Sequence, residues 1–142
     1  MAGSREVKAS WKGGMTFECV GRKDFRVVMD TATELGGREQ SFTPTEIVLV
    51  GLAGCTAMDV ISILRKKRQD VTKLEVTARG IAADDHPRVY TDIEIEFLVR
   101  GRGVDPKAVA RSIELSETKY CPVTAMLNKT AKISTTYRIE EA

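Results

Sequence analysis

From Val7 to Met29 the chain alternates apolar and polar positions. Val7, Ala9 and Trp11 share one parity, then Met15, Phe17 and Cys19, then Phe25, Val27 and Met29, with Gly13-Gly14 and Gly21-Arg22-Lys23-Asp24 between the runs. Period two interrupted by glycine-containing turns predicts three strands in a meander. Cys19 shares the parity of Met15 and Phe17 and reads as core. A loop over 31–42 carries Gly36-Gly37. The pattern then changes. Thr43-Pro44-Thr45-Glu46 offers an N-cap threonine, a proline at the first helical position and a glutamate three residues after the cap, the arrangement of a capping box. The helix it opens is predicted to run to about Gln69. Strand periodicity returns at Leu74, Val76 and Ala78, breaks at the turn Asp84-Asp85-His86-Pro87, and resumes with Ile93, Ile95, Phe97 and Val99 set against Asp92, Glu94 and Glu96. That second run predicts a strand with one wet face. Asp105-Pro106 begins a helix expected to end near Lys119. Cys121-Pro122 begins a shorter one carrying Val123, Met126 and Leu127, and Ile133, Thr135, Tyr137 and Ile139 form a last strand. The expected order is βββ-α-ββ-αα-β, an α+β domain spanning 1–142 with no internal repeat.

The helix after Thr43 is apolar on nearly every side from Ile47 to Leu64, and such a helix must be covered all round. A chain of this size has too little material to do so alone, and a second subunit is expected against it. Gly51 and Gly54 would let another backbone come close. The competing reading is a membrane span. The run has about the minimal length, and Arg65-Lys66-Lys67-Arg68 comes directly after it as a basic flank. Asp59 inside the run argues against this, since it would cost about 2.5–3.5 kcal/mol at a bilayer centre. No membrane partner is expected.

Bulk properties narrow the function. The chain has 142 residues, 42% apolar and 30% charged, with 22 basic and 20 acidic side chains for a net charge of +2. That balance, with few aromatics, gives no reason to expect a nucleic-acid partner. There are three cysteines and a single histidine, His86, with no CxxC spacing, so neither a metal site nor a cofactor is expected. The N-terminal residues lack the apolar core of a signal peptide, and a reducing cytoplasm is the expected location, where paired cysteines are more often catalytic than structural.

Cys121 precedes Pro122 and so falls at an N-cap, where free backbone N–H groups and the helix dipole favour thiolate; it reads equally as a small buried residue at a helix start. Cys55 lies in the apolar run Ile47–Cys55, where a buried thiol is ordinarily inert unless a cation or a second thiol is near. Asp59 is one helical turn beyond Cys55 and needs a partner if buried; it could orient a cation near the thiol or bridge to a second subunit, with a structural ion pair the favoured role. Glu46 is accounted for by the capping box. His86 falls in a polar turn and is expected to be exposed.

Thr43-Pro44-Thr45-Glu46, Gly54-Cys55 and Tyr120-Cys121-Pro122-Val123 resemble the motifs of the OsmC/Ohr superfamily. Gly54 through Leu64 and Glu117-Thr118-Lys119-Tyr120-Cys121 look most like its YhfA-like branch. The resemblance implies an intertwined homodimer with the long helices at its centre and active sites at the subunit interface. It further implies that Cys55 attacks a hydroperoxide as thiolate, that Cys121 resolves the resulting sulfenic acid to a disulfide, and that a dithiol reductant, often lipoyl-based, restores the thiols. In the family a glutamate directly after the helix proline and an arginine in the first hairpin hold the thiolate. Here Thr45 stands after the proline, Glu46 lies about 100° further round the helix, and no arginine stands near Gly13-Gly14-Met15. Arg22 and Arg38 are the candidate substitutes. The expected function is a thiol peroxidase for organic hydroperoxides; the alternative is a non-catalytic dimer that senses oxidation or binds a small apolar ligand.

Overall fold

The computed structural model describes residues 3–142. Its contacts divide into two units, with the boundary after Val48.

The first unit holds the meander. Strands β1 (Lys8–Trp11), β2 (Phe17–Val20) and β3 (Arg26–Met29) pair antiparallel in sequence order, with Ala9 opposite Cys19 and Cys19 opposite Val27. No strand residue of this sheet is buried. Trp11 and Phe25 are 67% and 62% exposed, and Cys19 is half-buried. The expectation that Cys19 lies in a core therefore fails. The alternation is present, but every strand residue of this sheet stays at least partly exposed.

After β3 the loop is organised around Asp30. This buried carboxylate accepts the Thr31 and Arg38 backbone N–H groups at 2.8 and 3.2 Å. The Thr31 N–H and then those of Arg38 and Gln40 hold it below the ordinary carboxyl range, against the opposing effect of burial. Gly37 is needed in this loop because an added Cβ would collide with the Thr31 carbonyl oxygen.

Helix α1 (Pro44–Lys66) starts in the first unit as expected. The Thr43 N–H donates to Glu46 Oε1 at 2.8 Å, and the Glu46 N–H donates to Thr43 Oγ1 at 3.3 Å, two otherwise unpaired donors satisfied reciprocally. The helix ends three residues before the expected Gln69. Arg68 adopts a left-handed φ of 58°, its N–H returns to the Arg65 carbonyl, and the Gln69 N–H returns to the Leu64 carbonyl at 3.0 Å. This is a Schellman closure made without glycine.

In the second unit, β4 (Asp70–Ala82) and β5 (Tyr90–Arg102) pair antiparallel, and β6 (Lys132–Glu141) pairs parallel to β5. A parallel partner requires a crossover. It is supplied by α2 (Pro106–Leu115), a single π-helical turn Ser116–Tyr120 and α3 (Pro122–Leu127). Ile93, Ile95, Phe97 and Val99 of β5 are at most 2% exposed, and Leu52, Val60 and Leu64 of α1 join Val109 and Ile113 of α2 in the same core. Glu94 and Glu96 face water, where Arg79 lies 3.1 Å from Glu94, an exposed pair that contributes under about 1 kcal/mol.

α1 buries only the stripe Leu52, Thr56, Val60 and Leu64. Val50 and Met58 remain 48% and 73% exposed, so within one chain the helix is covered on one side rather than all round. Its length and apolar composition would also suit a membrane span.

Candidate functional site

Two short ladders of side chains meet in the second unit. The first is on α1, where Cys55 and Asp59 are one i,i+4 step apart and share a face. Neighbouring Thr56 is fully buried, and its hydroxyl donates to the Leu52 and Ala53 carbonyls at 3.2 Å each, which fixes this turn against the core. The second ladder runs from the end of α2 to the start of α3. Instead of continuing to Lys119, the α-helical pattern gives way at Ser116 to one π-turn, closed by the Cys121 N–H donating to the Ser116 carbonyl at 2.9 Å. A π-turn inserts one residue and so re-aims the side chains beyond it. Ser116 and Cys121 thereby stand five residues apart at the two ends of the turn.

The ladders face each other rung to rung. Ser116 Oγ donates to Asp59 Oδ2 at 2.9 Å. The Cys55 Sγ, the Cys121 Sγ and an Asp59 carboxylate oxygen all lie within 4.8 Å of one another. Both thiols are free. Cys121 is 3% exposed and occupies the α3 N-cap, its sulfur accepting the Thr124 N–H at 3.3 Å, with Pro122 at the first helical position. The capping expected from Cys121-Pro122 is present.

Burial pushes the Cys55 thiol up to about 11. That value already includes, after burial, a hydrogen bond with Cys121 that raises it, the Val123 backbone N–H that pulls it down, and the charges of Cys121 and Asp59 that add to the rise. An anion beside a carboxylate and a second sulfur, with no compensating cation among the described residues, is disfavoured. At neutral pH Cys55 rests as a thiol. Chemically the arrangement offers two sulfurs in reach of a disulfide and a carboxylate facing both.

Within one chain Asp59 is held by a hydroxyl. Among the described residues its partner is the Ser116 hydroxyl, not a cation. Glu46 is engaged in the capping box. Arg22 stacks over the Phe25 ring at 5.5 Å, and the Arg38 backbone N–H donates to Asp30, whose carboxylate also feels the Arg38 charge. Lys119, next but one to Cys121, lies over the Tyr120 ring at 5.2 Å. His86 is exposed, as expected. Sequence reasoning misses Ser116. Its signal is indirect: a half-buried Asp59 needs a donor, and the segment leading into Cys121 is the place to look. Asp59, named with Cys55 and Cys121 as a candidate supporting residue, does lie with both cysteines.

Residues 36–136 match the family model described as OsmC-like protein. Protein YhfA of Escherichia coli K12 is 36% identical over 137 residues, covering 96% of this chain and 99% of that protein. A crystal structure of a hypothetical protein from Aquifex aeolicus VF5 superposes with a TM-score of 0.88 at 27% identity, covering 99% of each chain. An organic hydroperoxide resistance protein OsmC from Legionella pneumophila shares the fold with a TM-score of 0.70 at 12% identity, covering 96% of this chain and 98% of that one.

Proposed function

The chain belongs to the OsmC-like family, and we propose that it is a cytoplasmic, homodimeric thiol peroxidase that reduces organic hydroperoxides with Cys55 and Cys121. The observation that carries this reading is the approach of the two free sulfurs to within 4.8 Å. Proteins of the same fold that are named for organic hydroperoxide resistance support it. In the first step the Cys55 thiolate attacks the terminal peroxide oxygen. The O–O bond breaks, the alkoxide leaves and takes a proton, and Cys55 becomes a sulfenic acid. In the second step the Cys121 sulfur attacks the Cys55 sulfur, water leaves, and a disulfide remains. A dithiol of the reducing cytoplasm returns both thiols and is itself oxidised to its disulfide. The N–H groups at the start of α3 face both sulfurs and stabilise charge as it develops there.

The surroundings point to the substrate class. Leu49 and Leu52 lie on the same helix as Cys55 and pack with it against the core. A Cβ added at Gly51 or Gly54 would meet nothing within 4 Å, which leaves open space beside the thiol. An apolar wall and open space suit an alkyl or lipid hydroperoxide better than hydrogen peroxide.

The homodimer rests on surface that one chain leaves uncovered. Val50 and Met58 on α1, and separately Trp11 and Phe25 in the first unit, are large, apolar and exposed. Proteins of this family are generally dimeric. A partner copy covers α1 better than lipid does, because Asp59 sits in the middle of the helix.

A second reading has its own observation. A Cys55 thiol near 11 suits a slowly cycling oxidation sensor or a dimeric binder of a small apolar ligand. Consumption of cumene hydroperoxide under excess dithiol separates the two. Catalytic turnover in the wild type, abolished in Cys55→Ser and reduced to single turnover in Cys121→Ser, is the peroxidase result. Wild-type consumption that stops after one equivalent is the sensor result.

A further inference from the structure

The Cys55–Asp59–Cys121 cluster has a donor set that a peroxidase does not require. We propose that these three side chains form a binding site for a thiophilic divalent cation of the Zn2+ class, and that metal occupancy and disulfide formation exclude each other. Two sulfurs and a carboxylate are zinc donors, and the soft sulfurs select against Mg2+ and Ca2+. With Zn–S near 2.3 Å and Zn–O near 2.0–2.2 Å, donors of a tetrahedral site stand about 3.5–3.8 Å apart. The three donors here are already within 4.8 Å of one another, so closure around an ion takes about 1 Å of side-chain rotation.

The surroundings are those of a supported site. Ser116 Oγ holds Asp59 Oδ2 at 2.9 Å and leaves the other carboxylate oxygen for the ion. The Thr124 N–H holds the Cys121 sulfur at 3.3 Å. Such outer partners orient ligands and sustain their basicity. Asp59 has no cationic partner among the described residues, so a bound ion supplies the missing positive charge. Two thiols entering as thiolates release two protons as the ion binds. Three protein ligands leave the fourth position for water or a small exogenous ligand. Both sulfurs are consumed by the ion or by the disulfide, never by both, so the metal shields the thiols from oxidation and oxidation expels the metal.

The proposal stands independently of peroxidase activity, and its test keeps the two apart. Reduced full-length chain carrying Cys19→Ser is titrated with Zn2+ against a chromophoric chelator. Metal is counted after gel filtration, and Co2+ is substituted for its thiolate-to-metal absorption. The expected result is one metal per chain with a tetrahedral thiolate spectrum, affinity lower by about 10–100-fold or more in Asp59→Asn, Cys55→Ser and Cys121→Ser, and no metal on protein first oxidised to the disulfide. The oxidised wild-type site needs no mutation, so misfolding of a variant cannot mimic the result. Absence of stoichiometric metal from reduced protein overturns the proposal, as does metal that survives oxidation. Peroxide-driven disulfide formation in the metal-free sample is scored separately and bears only on the peroxidase reading.

Discussion

The raised Cys55 thiol makes the pH dependence of the first chemical step a strong prediction. Only the thiolate attacks peroxide, and burial, the Cys121 hydrogen bond and the nearby charges place the Cys55 pKa at about 11. At pH 7 the thiolate is then about one part in ten thousand, and each pH unit toward alkali raises it about tenfold. The bimolecular rate of reduced protein with cumene hydroperoxide should therefore climb about 100-fold between pH 6.5 and pH 8.5. It should not level off before about pH 10, and it should be slow at pH 7. Because the Asp59 charge contributes to the rise, Asp59→Asn should move the whole profile to lower pH and increase the rate at pH 7. The assay is single-turnover stopped flow under excess peroxide, with loss of free thiol as the readout. A rate that is fast and flat from about pH 6 upward would refute the reasoning, since it would mean that the assembled protein brings a cation to Cys55.

Three further outcomes are expected from local structure. Thr43→Ala removes one half of the capping box and should cost about 1 kcal/mol in urea unfolding monitored by circular dichroism. Ser116→Ala leaves Asp59 without its hydroxyl donor and should cost about 1–2 kcal/mol in the same measurement, whereas Ser116→Thr should retain most of the stability. The Asp30 carboxyl is held below its reference value of 3.8, so its contribution is complete above that value and is lost as pH falls through the lower native one. The stability gap between wild type and Asp30→Asn should accordingly be widest near neutrality and shrink during acid titration, and a gap that is constant with pH would remove the assigned role.

Much of the fold is legible in the sequence because its signals are local. Alternation at Ile93, Ile95, Phe97 and Val99 marks a one-sided strand, and Thr43 with Glu46 marks a helix start; both depend on neighbours a few residues away. Helix ends are less legible. Arg68 closes α1 in the left-handed region, a conformation that residue type alone disfavours. The π-turn at Ser116–Tyr120 carries no composition signal at all. Cys19 has the right parity and the wrong burial, because parity assigns a face and burial depends on whether another layer covers it. The cysteines of the site are readable one at a time, Cys121 from its proline and Cys55 from its apolar run. The Ser116–Asp59 contact is not, since the two residues are 57 positions apart and meet only through packing.

The central claim, that Cys55 and Cys121 form one redox pair, is tested most directly by peptide mass spectrometry of the reduced chain after one equivalent of cumene hydroperoxide. The account predicts a Cys55–Cys121 disulfide as the main product, with Cys19 still free and the folded state retained. Cys55 found as sulfenic or sulfinic acid while Cys121 remains a thiol, or a disulfide that involves Cys19, would contradict it.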